Sequence, residues 1–368
     1  MLAAPDRRAG SGRPDGFGED DQATRPPTVA FPTEPTRGRI ITSQQPPRPT
    51  AGTLAEAGEF AVIRAVTAGR DQPPSALLGP GDDAAVVAAP DAKVVVSTDL
   101  AVDGVHFRTD WATGEQIGRR AALAAMADIA AMGAVPTALV VGLSAPPSTK
   151  VELVVAIGAG LNEAAAEAGA GVVGGDVTRG DQLTLAVTVL GDLRGGAPVL
   201  RSGARPGDIV AVCGRLGWAA AGLAVLSRGF RSPAVVVGAY RVPEPPLAAG
   251  PVAAASGATA MIDVSDGLLA DLGHVALASG VAIDVKSVAL QINPRLLEVA
   301  SALGKNPLEW VLTGGDDHAL AATFPQGTDT PPGWAQVGTV GALAEGEAPR
   351  VTVDGAVPDL TAGWDHFR

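Results

Sequence analysis

Five apolar stretches of this chain contain or end in aspartate, usually with Gly, Ser or Thr beside it. They are "GPGDDAAVV" (79–87), "VVVSTDL" (94–100), "GVVGGDVTRG" (171–180), "MIDVSDG" (261–267) and "VLTGGDDHAL" (311–320). A sixth acid, Asp128, falls inside an apolar helical pattern over 114–132. Taken singly, each has an ordinary use. Ser265 suits a helix N-cap, Asp266 suits a first helical turn, and Asp82 and Asp83 suit a turn after Gly81. Taken together, carboxylates gathered at strand ends repel one another unless cations intervene. Hard oxygen ligands of this kind fit Mg²⁺, which bridges one or two carboxylates to substrate phosphates. Ser97 and Thr98 add hydroxyl or carbonyl oxygens beside Asp99. The glycine pairs 174–175 and 314–315 let backbone N–H groups approach phosphate oxygens. The chemistry in view is metal-assisted handling of a nucleotide.

The elements that must position these groups read as an α/β mixture. Leu54, Phe60, Ile63 and Val66 form a helical stripe. "AAVVAAP" and "KVVVSTDLAV" read as strands, 114–132 as a helix ending at Gly133, and "TALVVGLSAP" as a strand. "KVELVVAIGAGLNEAAAEAGA" is a helix, followed by strands "GVVGGD" and "LTLAVTVLGDL". A second block begins near 198. It runs through "GDIVAVCGRLG" (strand), "WAAAGLAVLSRG" (helix), "AMIDVSDGLLADLGHVALASG" (strand, then helix) and "WVLTGGDDHALAATFP" (glycine turn, then strand). This is no clean βαβ series. A boundary near 197 divides residues 53–197 from 198–368, and residues 1–52 read as a disordered tail holding nine of the thirty prolines.

Composition narrows the classes. The chain has 368 residues, is 46% apolar and only 4% aromatic, and carries a net charge of −12. Such a charge argues against nucleic acid and against an anionic membrane surface as partners. Lys93, Lys150, Lys286 and Lys305 are the only lysines, so bound Mg²⁺ would have to supply the local positive charge for a nucleotide. Cys213 is the only cysteine, which excludes an intrachain disulfide or a cysteine zinc cluster and fits a reducing cytoplasm. The opening "MLAAPDRRAG" has no apolar core of a secretory signal. A P-loop and the kinase H-R-D and D-F-G motifs are absent from the sequence.

In order along the chain stand "GEF", "GDDAAV", "STD", "GVHF", "ADIAAMGA.P", "GGD.TRG", "RSGA.PGD", "D.SDGL..DLGH", "TGGDDH" and "GWDHF". This set resembles the thiamine-monophosphate kinase family of the PurM-like superfamily, over about residues 58–367. The resemblance implies a two-domain PurM-like α/β fold. Its N-terminal mixed-sheet domain would pair in a homodimer, and ATP would bind between the domains. The implied reaction is ATP plus thiamine monophosphate giving ADP and thiamine diphosphate by direct transfer, with no phosphoenzyme. By position, Asp83, Ser97, Thr98, Asp99, Asp128, Asp176, Asp263 and Asp266 match Mg²⁺ ligands. Gly175, Asp176, Arg201 and Ser265 match ATP contacts, and His106, Asp316 and Trp364 match substrate contacts. No residue is assigned as catalytic base, because the acceptor phosphate is already a competent nucleophile. The family usually has Glu-Asp-aromatic after the second glycine pair, where this chain has Asp316, Asp317 and His318. Two other readings stay open: another PurM-like ATP-dependent enzyme of the aminoimidazole ribonucleotide synthetase kind, and a non-catalytic thiamine or nucleotide sensor.

Overall fold

The computed structural model describes residues 52–80, 84–360 and 363. The proline-rich segment 1–51, Asp82, Asp83 and Trp364 lie outside the described residues. The first described elements are α1 (Leu54–Ala57) and α2 (Glu59–Thr67). The single helical stripe expected here is broken at Gly58, whose φ of 76° and ψ of 156° no helix accommodates. A small antiparallel pair follows, β1 (Ala76–Leu78) with β2 (Val86–Val87), so "AAVVAAP" contributes only two strand residues.

Next come β3 (Val95–Val102), α3 (Gly114–Ala131), β4 (Val135–Ala145), α4 (Val151–Glu167), β5 (Val172–Arg179) and β6 (Thr184–Asp192). The strands form one sheet in the order β3-β6-β4-β5. Only the β4–β5 pair is parallel, because α4 crosses over between them. One face of this sheet carries Leu139, Val141, Val187 and Val189, which are buried with Ile117, Ala121 and Ile129 of α3. Thr113 caps α3 in a reciprocal capping box with Gln116.

Beyond residue 208 the chain builds β7 (Ile209–Cys213), α5 (Trp218–Ser227), α6 (Ala234–Arg241), α7 (Ala249–Ala255), β8 (Ala260–Val264) and α8 (Leu268–Ser279). It continues with β9 (Ala282–Val285), α9 (Pro294–Leu303), α10 (Pro307–Thr313), β10 (Ala319–Phe324), β11 (Trp334–Gly341) and β12 (Arg350–Val353). Six strands make a mixed sheet in the order β12-β9-β11-β7-β10-β8. Residues 310–313, before the glycine turn, end α10. Asn306 caps that helix and Pro307 starts it. Among the described residues no helix is long and apolar enough to cross a membrane.

The position of α3 matters most for function. It packs on β3, β4 and β6 of the first sheet and also touches β8 and β10 of the second. A residue on the face between the sheets therefore meets groups from both halves of the chain.

Candidate active site

Strand alternation puts Ser97 and Asp99 on the side of β3 that faces α3, with Thr98 on the other side. Ser97 Oγ donates to Asp128 Oδ2 at 2.5 Å. Asp263 is buried in β8, the edge strand of the second sheet, and its Oδ2 lies 3.1 Å from Nδ1 of buried His318. Burial pushes the Asp128 carboxyl up to about 6, and the nearby charges of Asp263 and Asp99 add to this against the Ser97 hydrogen bond. Burial opposes the charge on His318, but its hydrogen bond to Asp263 and that residue's charge outweigh burial and hold its pKa above the usual value. Asp99, Asp128 and Asp263 thus form one electrostatically coupled group drawn from β3, α3 and β8.

Two turns close over this group. The N–H of Asp316 donates to the Ser265 carbonyl at 2.8 Å, and that of His318 donates to the Val264 carbonyl at 3.0 Å. Their approach requires glycine: a Cβ on Gly315 would lie 2.4 Å from the Ser265 oxygen, and one on Gly267 (φ 129°) would lie 2.7 Å from the Thr313 backbone. Ser265 is not the cap of the helix that follows. α8 begins at Leu268 with Gly267 in the cap position, and the Asp271 carboxylate does the capping work by accepting from the N–H groups of Asp266 and Gly267 at 3.0 Å each. Burial pushes Asp271 up to about 7, with the Asp263 charge adding to it. Asp266, Asp271 and His274 offer ligand atoms within 4.8 Å of one another.

A cavity of about 510 Å³ opens beside these turns. Asp99, His106, Arg120, Ala121 and Ala124 line it from the first half of the chain. Ala220, Leu223, Tyr240, Ser265, Asp266, Trp310 and Asp316 line it from the second. One end is acidic, and the wall from α5, α6 and α10 is apolar and aromatic. Arg120 is only 4% exposed. Its Nη2 lies 2.8 Å from Asp316 Oδ2, its Nη1 donates to the Tyr240 carbonyl, and its guanidinium stacks 4.9 Å from the Tyr240 ring centroid. His106 Nδ1 accepts from the Val102 N–H at 3.1 Å. Asp317 turns away from the cavity and accepts from the N–H groups of Trp218 and Ala219 at the start of α5. Burial pushes its carboxyl up to about 7.

Of the residues singled out from sequence, Ser97, Asp99, His106, Asp128, Asp263, Ser265, Asp266 and Asp316 come together at this cavity or directly beside it. Others stand apart in the single chain. Thr98 Oγ pairs with Thr188 Oγ at 3.0 Å on the outer face of the sheet. Gly175 and Asp176 lie on β5, at the opposite sheet edge from β3. Three strand spacings separate them from β3, about 14 Å. Arg201 is exposed on a 3-10 turn, Arg201–Gly203, whose carbonyl at Arg201 accepts from Ser279 Oγ. Asp83 and Trp364 lie outside the described residues. Arg120, Tyr240, Asp271 and Trp310 were not singled out. Arg120 had a legible signal, since it stands in the apolar helix two turns before Asp128 at the same i, i+4, i+8 spacing. The other three are marked only by the packing.

Comparison with known proteins agrees with this architecture. Residues 81–193 match the model of the AIR synthase related protein, N-terminal domain. The mixed sheets and the acid-lined cavity between them therefore define a PurM-like protein. A thiamine-monophosphate kinase of Mycobacterium tuberculosis is 50% identical over 316 residues, covering 86% of this chain and 93% of the relative. The chain belongs to the thiamine-monophosphate kinase family. The crystal structure of that kinase from Stenotrophomonas maltophilia superposes with a TM-score of 0.69 at 32% identity, covering 80% of this chain and 95% of the other. The structure of AaThiL complexed with AMPPCP and TMP gives 0.70 at 30% identity, covering 85% and 98%.

Proposed function

We propose that this cavity transfers the γ-phosphoryl group of ATP to the phosphate of thiamine monophosphate, giving ADP and thiamine diphosphate. The observation that carries this reading is that Asp99 and Asp266, from the two halves of the chain, line one cavity together with Tyr240 and Trp310, while Asp128 and Asp263 are coupled to Asp99 beside it. An oxygen of the acceptor phosphate attacks the γ-phosphorus while the bond to the β–γ bridging oxygen breaks. The acceptor is ionised near neutral pH, so the step needs alignment and charge neutralisation rather than a base.

The donor set suits Mg²⁺. Three coupled carboxylates and a serine hydroxyl are hard oxygen ligands; burial does most to raise Asp128, and the repulsion from Asp263 and Asp99 that adds to it is what a divalent cation would relieve. Asp99, Asp128, Asp263 and Asp266 would hold the ions, with Ser97 orienting Asp128, and Asp83 would join from the segment 81–83. Bound there, Mg²⁺ would neutralise phosphate charge. The glycine turn at 314–315 and Ser265 would face the nucleotide, and the Tyr240–Trp310 wall would meet the thiamine rings.

A homodimer fits the outer face of the first sheet. Val96 of β3 is 64% exposed and Val140 of β4 37%, on the face opposite α3. Isolated exposed apolar residues are ordinary, but Val96, Leu100 and Val140 together on one sheet face favour pairing with a second copy. Asp176 lies in a row with Gly142, Ala186 and Leu100 on this face, so pairing would set it against the partner. Val96→Glu combined with Val140→Glu is expected to convert a dimer to monomer by light scattering; an unchanged mass would place the interface elsewhere. The lone cysteine and the acidic charge suit a cytoplasmic enzyme.

The reaction is tested by incubating purified protein with Mg-ATP and thiamine monophosphate. Thiamine diphosphate is separated and read as its fluorescent thiochrome derivative. Product above an enzyme-free control supports the reading. Folded, ATP-binding protein that forms none returns the acceptor to the aminoimidazole-type precursors.

A further inference from the structure

The wall of the cavity holds one buried guanidinium that the reaction scheme above leaves without a task. We infer that Arg120 binds the phosphate of the acceptor, and so reads thiamine monophosphate as a phosphate monoester rather than as thiamine. This rests on the proposed reaction and adds a residue to it.

Four observations support the assignment. First, Arg120 is the only Arg or Lys among the described residues lining the cavity, and three of the others are Asp99, Asp266 and Asp316. A dianionic acceptor entering that field needs a fixed cation near it. Second, the guanidinium is held rather than mobile. It is 4% exposed, donates through Nη1 to the Tyr240 carbonyl and stacks on the Tyr240 ring. Third, its donor capacity is not used up. A guanidinium has five N–H donors. Nη2 lies 2.8 Å from Asp316 Oδ2, yet makes no hydrogen bond of proper direction, so the pair is an ion pair without the bidentate fork. The Asp316 side chain is itself 41% exposed, able to shift as an anionic ligand arrives. Fourth, the spacing suits an acceptor phosphate rather than the nucleotide's metal-bound end. Arg120, Ala124 and Asp128 follow one another along one face of α3, so Arg120 and Asp128 are about 12 Å apart along the helix. Ala121 and Ala124 line the stretch between with minimal bulk. The acidic metal-binding end is at Asp128, and the aromatic wall is at Arg120 through Tyr240.

Asp316 then acts as a positioning residue. Its carboxylate balances Arg120 before the acceptor binds and keeps the guanidinium at the wall.

The test compares two competing ligands, thiamine monophosphate and thiamine, on wild type, Arg120→Met and Arg120→Lys. KM for thiamine monophosphate and the inhibition constant for thiamine are measured, with KM for ATP alongside. Losing a charge-assisted contact is expected to raise KM for thiamine monophosphate by about 10- to 100-fold. The inhibition constant for thiamine and KM for ATP should stay within about twofold. The preference for the phosphorylated ligand then collapses in R120M and falls partway in R120K, which keeps the charge but not the fork. A purely structural arginine would weaken both thiamine ligands together, and that result overturns the inference. A rise confined to KM for ATP also overturns it, by assigning Arg120 to the γ-phosphate. Melting curves check folding, and R120K alone decides the matter if R120M does not fold. Wild-type protein without turnover of thiamine monophosphate would count against the proposed reaction itself. Turnover with discrimination intact in both variants would count against Arg120 only.

Discussion

Asp128→Asn is expected to lower kcat at least about 100-fold while the protein stays folded, and Asp266→Asn to do the same. The magnitude is that of removing a preorganised group acting on transition-state charge. Both substitutions keep side-chain shape and remove one negative charge. At position 128 the amide oxygen still accepts the Ser97 hydroxyl, so local packing persists. Burial and the charges of Asp263 and Asp99 disfavour the ionised carboxyl there. The metal-free Asp128→Asn protein is therefore expected to melt no lower than wild type at pH 8. An inactive variant with an equal or higher melting temperature marks a functional carboxylate. Near-normal kcat in either variant would remove that residue from the metal-binding set. Steady-state rates at saturating thiamine monophosphate and a Mg²⁺ titration supply the data.

Chelation is the second large effect. EDTA is expected to abolish thiamine diphosphate formation and excess Mg²⁺ to restore it, because Asp99 and Asp266 line the cavity beside the coupled Asp128 and Asp263, while the third lining carboxylate, Asp316, is already paired with Arg120. Activity persisting in chelator would refute a metal-dependent transfer. The metal-free protein should also carry a pH signature. Asp128 at about 6, and Asp271 and Asp317 at about 7, hold a proton more tightly folded than unfolded. An unfolded aspartate titrates near 3.9. Their contribution to stability is full below that value and is lost as pH rises through 6 to 7. Metal-free protein should melt at least about 2 °C lower at pH 8 than at pH 5.5. Mg²⁺ at pH 8 should recover part of the difference, since a bound cation favours ionised Asp128. Flat melting temperatures across this range would show that these carboxyls are not held protonated.

Much of the site was legible because its signals are local. The period of two in a strand puts Ser97 and Asp99 on one side of β3, and the helical period puts Asp128 on the apolar face of α3. The glycines of "VSDG" and "TGGDDH" announce a close backbone approach, and Gly267 and Gly315 provide it. Family membership follows from the order of the motifs along the chain, which needs no coordinates. The helix cap at α8 was misread for the same local reason. Ser265 has the right chemistry for a cap, but its carbonyl is taken by the Asp316 N–H, and Asp271 reaches the cap from within the helix.

The sequence by itself determined the family, the α/β alternation of the first half and the candidate acids. The tertiary structure decided which of those acids meet. Sheet order arises from contacts far apart in sequence: it places β3 and β5 at opposite edges, which takes Asp176 away from Asp99, and it wedges α3 between the sheets, which brings Asp128 to Asp263. Arg120 acquired its place in the same way. Its partners Tyr240 and Asp316 are more than a hundred residues away along the chain, and only the packing of α3 against the second half of the molecule converts an arginine in an alanine-rich helix into a buried cation at the cavity wall.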